Sequence, residues 1–237
     1  MSVDGLVLVL GGTSGIGLAT ARRLEINGVK VVVAGRNPSR VAGIEAIPCD
    51  VLSELSVKSC IESVGSTGQF SGLVYSVGIT VPKKSVEEFE EKIWLDVLNT
   101  NVTGLLFSLK YAFPYLLRAK GSVVVVNSLS GRTFSKSSGV EYTASKAALG
   151  GVVRQLAMEW IRKGVRINSV YPGPVDSPML RSNLSATSIK DLESSIPLGS
   201  LASAEEIAKT ITFLLDHQNA HLTGVGIDVS GGDVLTG

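Results

Sequence analysis

Six short apolar runs, LVLVL (6–10), VVVA (31–34), LVYSV (73–77), SVVVVNS (122–128), RINSVY (166–171) and GVGIDV (224–229), constrain the fold more than any other feature of this sequence. They are rich in Val and Ile and largely lack the polar alternation of a strand with one wet face. Such runs suit strands covered on both faces, which means a parallel sheet. Between them lie longer segments of helical period. Ser85 with Glu88 and Ser203 with Glu206 fit S-x-x-E capping boxes, and Gly28 and Gly164 stand where helices would stop. One long helix is expected over about 86–118, interrupted at Asn101 because NTNVTG forms helix poorly, and another over about 142–163. Strands alternating with helices predict an α/β fold, a Rossmann-type doubly wound parallel sheet of about seven strands with helices on both faces. The piece 37–45 is the exception, because Pro38 and Gly43 leave little room for a crossover helix. No repeat, low-complexity tract or linker divides the 237 residues, so a single domain over 1–237 is expected.

Charge narrows the partners. Lys and Arg number 22 against 21 Asp and Glu, a net charge of +1, with no basic run of five. This argues against nucleic acid and membrane as partners. The apolar run at 6–10 is too short for a signal-peptide core or a span, so the mature chain is expected to start where the sequence does. Cys49 and Cys60 read as ordinary buried thiols of a reducing, cytoplasmic compartment rather than a disulfide or metal site.

The first run feeds the stretch LGGTSGIGLATARRL. Gly11, Gly15 and Gly17 let the backbone turn tightly and approach a ligand, with Thr13, Ser14 and Ile16 between them. A pyrophosphate at the following helix N-terminus gains from unpaired N–H groups and from the helix dipole. At the end of the second run stands AGRN. A carboxylate is expected there to hold a ribose 2′-hydroxyl, whereas an arginine accommodates a 2′-phosphate in a forked, charge-assisted contact. Arg36, followed by Asn37, therefore favours NADP(H) over NAD(H). Asp50 and Val51, past a presumed third strand, would lie near the adenine.

Gly11-x-x-x-Gly15-x-Gly17, Asn101, Ser128, Tyr142-x-x-x-Lys146 and Pro172-Gly173 together resemble the short-chain dehydrogenase/reductases, in their compact single-domain branch, over essentially the whole chain. The resemblance implies that Tyr142 donates or accepts the proton, Lys146 binds the nicotinamide ribose, and Ser128 holds the substrate oxygen beside Tyr142. It also implies that Asn101 holds a water in a relay behind the lysine and that Pro172-Gly173, followed by Val175 and Ser177, seats the nicotinamide. The pattern departs from the family at Tyr75-Ser76-Val77-Gly78, which keeps only the Gly78 of an Asn-Asn-Ala-Gly turn. Ser128 lies fourteen residues before Tyr142, one more than usual, so Ser130 is a competing candidate. A homodimer or homotetramer is a further implication of the resemblance.

The residues themselves suggest why a phenol and an ammonium are paired. A free Tyr with a pKa near about 10 gives up its proton poorly at neutral pH. An ammonium at about 4 Å, in an effective dielectric of about 20, favours the phenolate by about 4 kcal/mol, or about three pKa units. Tyr142 and Lys146, four apart on a helix, project on one side. Ala144, Ser145, Ala147 and Ala148 are small enough for a cofactor to pack against that helix. The Ser-rich segment 178–201 reads as a substrate lid. The sum is a reductase or dehydrogenase acting on a small-molecule carbonyl or alcohol, a 3-oxoacyl ketoreductase being one subtype. Arg118, Lys120, Arg162, Lys163 and Arg166 offer a docking patch for an acidic carrier, although basic residues at helix ends are ordinary. The alternative is a non-catalytic NADP-binding sensor or scaffold on the same fold.

Overall fold

The computed structural model of the protein describes residues 3–38, 41, 43–68, 70–183 and 185–234. Seven parallel strands, β1 (Leu6–Leu10), β2 (Lys30–Gly35), β3 (Glu45–Pro48), β4 (Phe70–Tyr75), β5 (Ser122–Val126), β6 (Arg166–Pro172) and β7 (Gly226–Val229), lie in the order β3-β2-β1-β4-β5-β6-β7. The helices are α1 (Gly15–Ile26), α2 (Glu54–Ser66), α3 (Glu91–Leu98), α4 (Gly104–Ala119), α5 (Val140–Trp160), α6 (Pro178–Asn183), α7 (Ala186–Ser195) and α8 (Ala204–Leu215). Among the described residues between β2 and β3 there is no α-helix, as Pro38 and Gly43 suggest.

The unbroken apolar runs are explained by burial on both faces. Val7, Val9, Val33, Val124 and Val170 point to one side, against Ala21 and Leu24 of α1 and Ile207, Ile211 and Leu214 of α8. Leu8, Leu10, Leu73, Val125 and Ile167 point to the other, against α2, α4 and α5. At about 1.5–3 kcal/mol per fully buried Val, Leu or Ile side chain, this double layer is the main source of stability. Because all strands run one way, their carboxyl ends lie along one edge. The chain reverses its winding between β1 and β4, whose last residues Leu10 and Tyr75 pair.

The expected helix over 86–118 is interrupted at Asn101, as its sequence suggests, and also near its start, against expectation. The Ser85–Glu88 capping box forms, yet it closes only a 3-10 turn at Val86–Glu88 that buries no residue, and Phe89 and Glu90 turn extended. A helical start with no apolar face to bury is not held in place. The second irregularity is a π turn at Asn99–Thr103 joining α3 to α4. The carbonyl of Thr100 in this turn accepts a 2.7 Å hydrogen bond from the buried Tyr75 hydroxyl. Tyr75, which departs from the family's Asn, thus supplies its own brace between sheet and helix. Gly104 leaves the room it needs, since a Cβ there would lie 2.7 Å from that hydroxyl.

Arg166 is not a surface residue. Its guanidinium is buried at the start of β6 and donates to the carbonyls of Leu214 (2.8 Å), Leu215 (3.1 Å) and Asp216 (3.1 Å), so it caps the C-terminus of α8. It is therefore removed from the basic patch expected on the outside. Among the described residues, no helix is long and apolar enough to cross a membrane.

Candidate active site

A cleft of about 820 Å³ runs along the carboxyl edge of the sheet, over the point where the winding reverses. Ligands of open α/β sheets bind at that position. One end is lined by Gly11, Thr13, Ser14, Gly15, Ile16 and Arg36, with Asp50 and Val51 beside them. Gly78, Ser128, Tyr142 and Lys146 line the middle. Pro172, Gly173, Val175 and Ser177 close the far side. Of the expected site residues, Gly17, Asn37 and Asn101 fall outside the lining.

The glycine loop has the geometry its sequence requires. Gly11 has φ +76° and packs so closely on Ser76 that a Cβ would lie 2.7 Å from the Ser76 carbonyl oxygen. Gly17 has a different task from the one expected. It is buried, and a Cβ there would run into the Gly11 carbonyl, so it brings α1 against the loop rather than meeting a ligand. Ser14 stands at the N-cap of α1 without a side-chain capping bond, and Ser14, Gly15 and Ile16 all line the cleft. Uncapped first-turn amides beside a Gly-rich loop form a donor set suited to a pyrophosphate. Arg36 is exposed just beyond β2, at the same end of the cleft.

Tyr142 and Lys146 are the α5 residues that face the cleft, while Ala147 and Ala148 are exposed and lie outside it. The expectation that these alanines make way for a cofactor is therefore wrong. One helical turn carries the pair inward and the next two positions outward. Lys146 is only 5% exposed and donates a 3.0 Å hydrogen bond to the Val126 carbonyl. No carboxylate pairs with it among the described residues, and burial pushes its ammonium down to about 8. Burial likewise pushes the Tyr142 phenol up, opposed by a hydrogen bond from Ser128 that lowers it. The lysine Nζ stands 5.7 Å from the centre of the phenol ring. Desolvation thus outweighs the expected lowering of Tyr142 by Lys146, because the same burial that strengthens their attraction disfavours both charged forms.

Both candidate serines lie in the turn after β5, at the cleft. Ser128 follows β5, takes its place by donating its N–H to Asn127 Oδ1 at 3.0 Å, and lines the cleft with Tyr142, whose phenol its hydroxyl favours in the charged form. Its Oγ also accepts from the backbone N–H of Ser130 at 3.2 Å, and Ser130 too lines the cleft. Asn101 is 0% exposed and is not solvated. Its amide brackets the backbone of Ile79, accepting from the N–H at 2.8 Å and donating to the carbonyl at 3.0 Å. The same Nδ2 donates to Ser145 Oγ at 2.9 Å, tying the loop after β4 to α5. In the sequence Ser145 stands out only as a small residue, because the partner of its hydroxyl lies 44 positions away on another element. Cys49 lines the cleft and Cys60 lies behind it, both as buried free thiols.

The chain matches the family model described as enoyl-(acyl carrier protein) reductase over residues 11–233. It is 32% identical to glucose 1-dehydrogenase of Gluconobacter oxydans, over 98% of this chain and 92% of that protein. It is 34% identical to the 3-oxoacyl-(acyl-carrier-protein) reductase of Pseudomonas aeruginosa, over 98% of each. An NADPH-bound short-chain oxidoreductase from Pseudomonas aeruginosa superposes with a TM-score of 0.91 at 31% identity, covering 99% of this chain and 98% of that one. With the winding, the glycine loop and these likenesses spanning nearly the full length, the chain belongs to the short-chain dehydrogenase/reductases, oxidoreductases that interconvert carbonyls and alcohols.

Proposed function

We propose that this protein is an NADP(H)-dependent oxidoreductase that interconverts a small-molecule carbonyl and a secondary alcohol, with Tyr142 as proton donor in reduction and acceptor in oxidation. The observation that carries this reading is that Ser128, Tyr142 and a buried Lys146 line the middle of one cleft that also holds the glycine loop. Gly11, Thr13, Ser14, Gly15 and Ile16 would hold the pyrophosphate, Arg36 the 2′-phosphate, Asp50 and Val51 the adenine end. Pro172, Gly173, Val175 and Ser177 would flank the nicotinamide. When bound, the cofactor supplies or takes up the hydride.

The chain's own residues manage the proton. Ser128 and Tyr142 hold the substrate oxygen between two hydroxyls. A phenol held up by burial stays protonated at neutral pH, which suits donation to the alkoxide formed in reduction. The reverse direction needs the phenolate, so alcohol oxidation is expected to rise with pH. Lys146, with its donor groups near Gly78 and Asn101, orients the ribose and carries positive charge next to the phenol below about pH 8. The segment 178–201, folded as α6 and α7 beside the cleft through Met179, Leu180 and Leu192, acts as the lid.

The test is a panel of ketones and 3-oxoacyl thioesters assayed by NADPH oxidation. Tyr142→Phe should retain cofactor binding and lose turnover by about 10²-fold or more, the ordinary worth of a positioned acid. Arg36→Ala should weaken NADPH binding and leave NADH binding unchanged. A fully active Tyr142→Phe refutes the proton role, and equal affinity of the unmodified protein for both dinucleotides refutes the cofactor assignment.

A further inference from the structure

The turn that carries Ser128 is tightly built and ends on an arginine. Gly131 N donates to Ser128 O at 2.9 Å, Arg132 N to Leu129 O at 2.8 Å and Thr133 N to Leu129 O at 3.1 Å. On the α5 side the turn rests on backbone, since a Cβ on Gly131 would lie 2.6 Å from the Lys146 carbonyl. On the other side it is held by the Arg132 side chain. That guanidinium spans β6 and reaches the edge strand: Nη2 donates to Gly226 O at 2.8 Å, and Nε pairs with Asp228 Oδ1 at 3.1 Å. Its plane lies over the ring of Tyr171, 4.1 Å from the centroid. The side chains of Arg132 and Asp228 are only 29% and 18% exposed, so this is not a loose surface pair. Gly226 is matched to it, because a Cβ there would meet both the Tyr171 ring and Arg132 Nη2.

We infer that Arg132, clamped on Asp228, Gly226 and Tyr171, is a positioning residue that sets the distance between the Ser128 and Tyr142 hydroxyls. The inference rests on the proposed role of Tyr142. α5 fixes the phenol, while the serine is fixed by a turn whose far end is anchored in β7. A shift of the anchor moves Ser128 relative to Tyr142, and no other side chain of the turn reaches the edge strand among the described contacts. A planar fork that donates to a carboxylate and a carbonyl while stacking on an aromatic face is specific to arginine. A lysine at 132 would keep the charge and lose the stack and the second contact.

The expected signature is a fall in kcat without a matching change in binding. Misplacement of a reacting group by about 1 Å costs up to about 10²-fold, so Arg132→Ala should lower kcat by about 10- to 100-fold. KM and the NADPH dissociation constant should stay within about twofold, and Arg132→Lys should recover only part of the loss. The deciding measurement is the double-variant cycle with Ser128→Ala. If Arg132 acts through the serine, Arg132→Ala costs nothing further in a Ser128→Ala background. The same factor lost in both backgrounds, or an unchanged kcat in Arg132→Ala alone, overturns the inference. Should Arg132→Ala fail to fold, Arg132→Lys and Asp228→Asn complete the same cycle. Tyr142→Phe runs alongside: if it is inactive while the cycle is additive, only the role of Arg132 falls, and if it is active, both readings fall.

Discussion

Lys146 permits a prediction that needs no substrate. Its folded ammonium titrates near about 8 instead of 10.5, through burial alone. A difference of about 2.5 pKa units corresponds to about 3 kcal/mol at 1.36 kcal/mol per unit, to be taken as an order of magnitude. The sign follows from proton binding. Between about pH 8 and the unfolded value the unfolded chain binds the proton and the folded one does not, so stability rises with pH across that window. At neutral pH both states are protonated and the fold bears the full cost of an ammonium out of water. From about pH 7 to about pH 9.5 this one group should therefore add about 2 kcal/mol of stability. Lys146→Met removes the titration while keeping an unbranched chain of similar length. Urea unfolding of the cofactor-free protein and of Lys146→Met, at several pH values across that range, isolates the effect as the difference between the two proteins. At neutral pH the variant should be about as stable as the parent, the relieved burial of charge offsetting the lost 3.0 Å bond to Val126 O. Parallel pH profiles would show that the ammonium is not desolvated in the fold, and would refute the reasoning.

Two further outcomes follow from buried polar contacts. Tyr75→Phe leaves the Thr100 carbonyl without its 2.7 Å donor and should cost about 1–3 kcal/mol in denaturant unfolding; a loss below about 0.3 kcal/mol would show that the π turn does not depend on it. Arg166→Met strips the α8 terminus of its capping guanidinium, whose acceptors are the carbonyls of Leu214, Leu215 and Asp216. It should destabilise by about 1–3 kcal/mol, the cost of leaving buried carbonyls without a donor, as read by melting temperature, whereas an unchanged melting temperature would mean that water replaces the side chain.

The parts of the fold legible in the sequence are those where burial covers every position of a run. β1, β2, β5 and β6 are recognisable because both faces of each are covered, so composition alone marks them. β4 lies earlier than its most apolar stretch suggests, since the small Ser71 and Gly72 are buried too. β3, the half-exposed EAIP, carries too few apolar residues to stand out and follows mainly from its place before Asp50. In the site, the members that act by position along the chain, the glycine loop and the Tyr142–Lys146 pair, are readable from spacing. Those that act by contact across the fold are not. Asn101 and Ser145 are 44 positions apart, and Arg132 and Gly226 are 94 apart. The balance of charge at Tyr142 was misread for a related reason. Spacing places a lysine one turn away, but how much water is removed from both groups depends on everything packed around them.

The π turn at Asn99–Thr103 also bears on how this chain can change in length. A π turn accommodates one residue more than an α-helix does, and each residue rotates a helix by about 100°. Deleting one of these five residues would therefore turn the π turn into an ordinary α turn and let α3 run straight into α4, with Leu105, Leu109, Ala112 and Leu116 still on the sheet but with Thr100 and Asn101 displaced from Tyr75, Ile79 and Ser145. α7, by contrast, buries no residue at all. Insertions and deletions should therefore be tolerated in 186–195, where a new pocket wall can be drawn without disturbing the sheet, whereas a deletion in 99–103 would spare the packing of α4 and undo the contacts of Asn101 with Ile79 and Ser145.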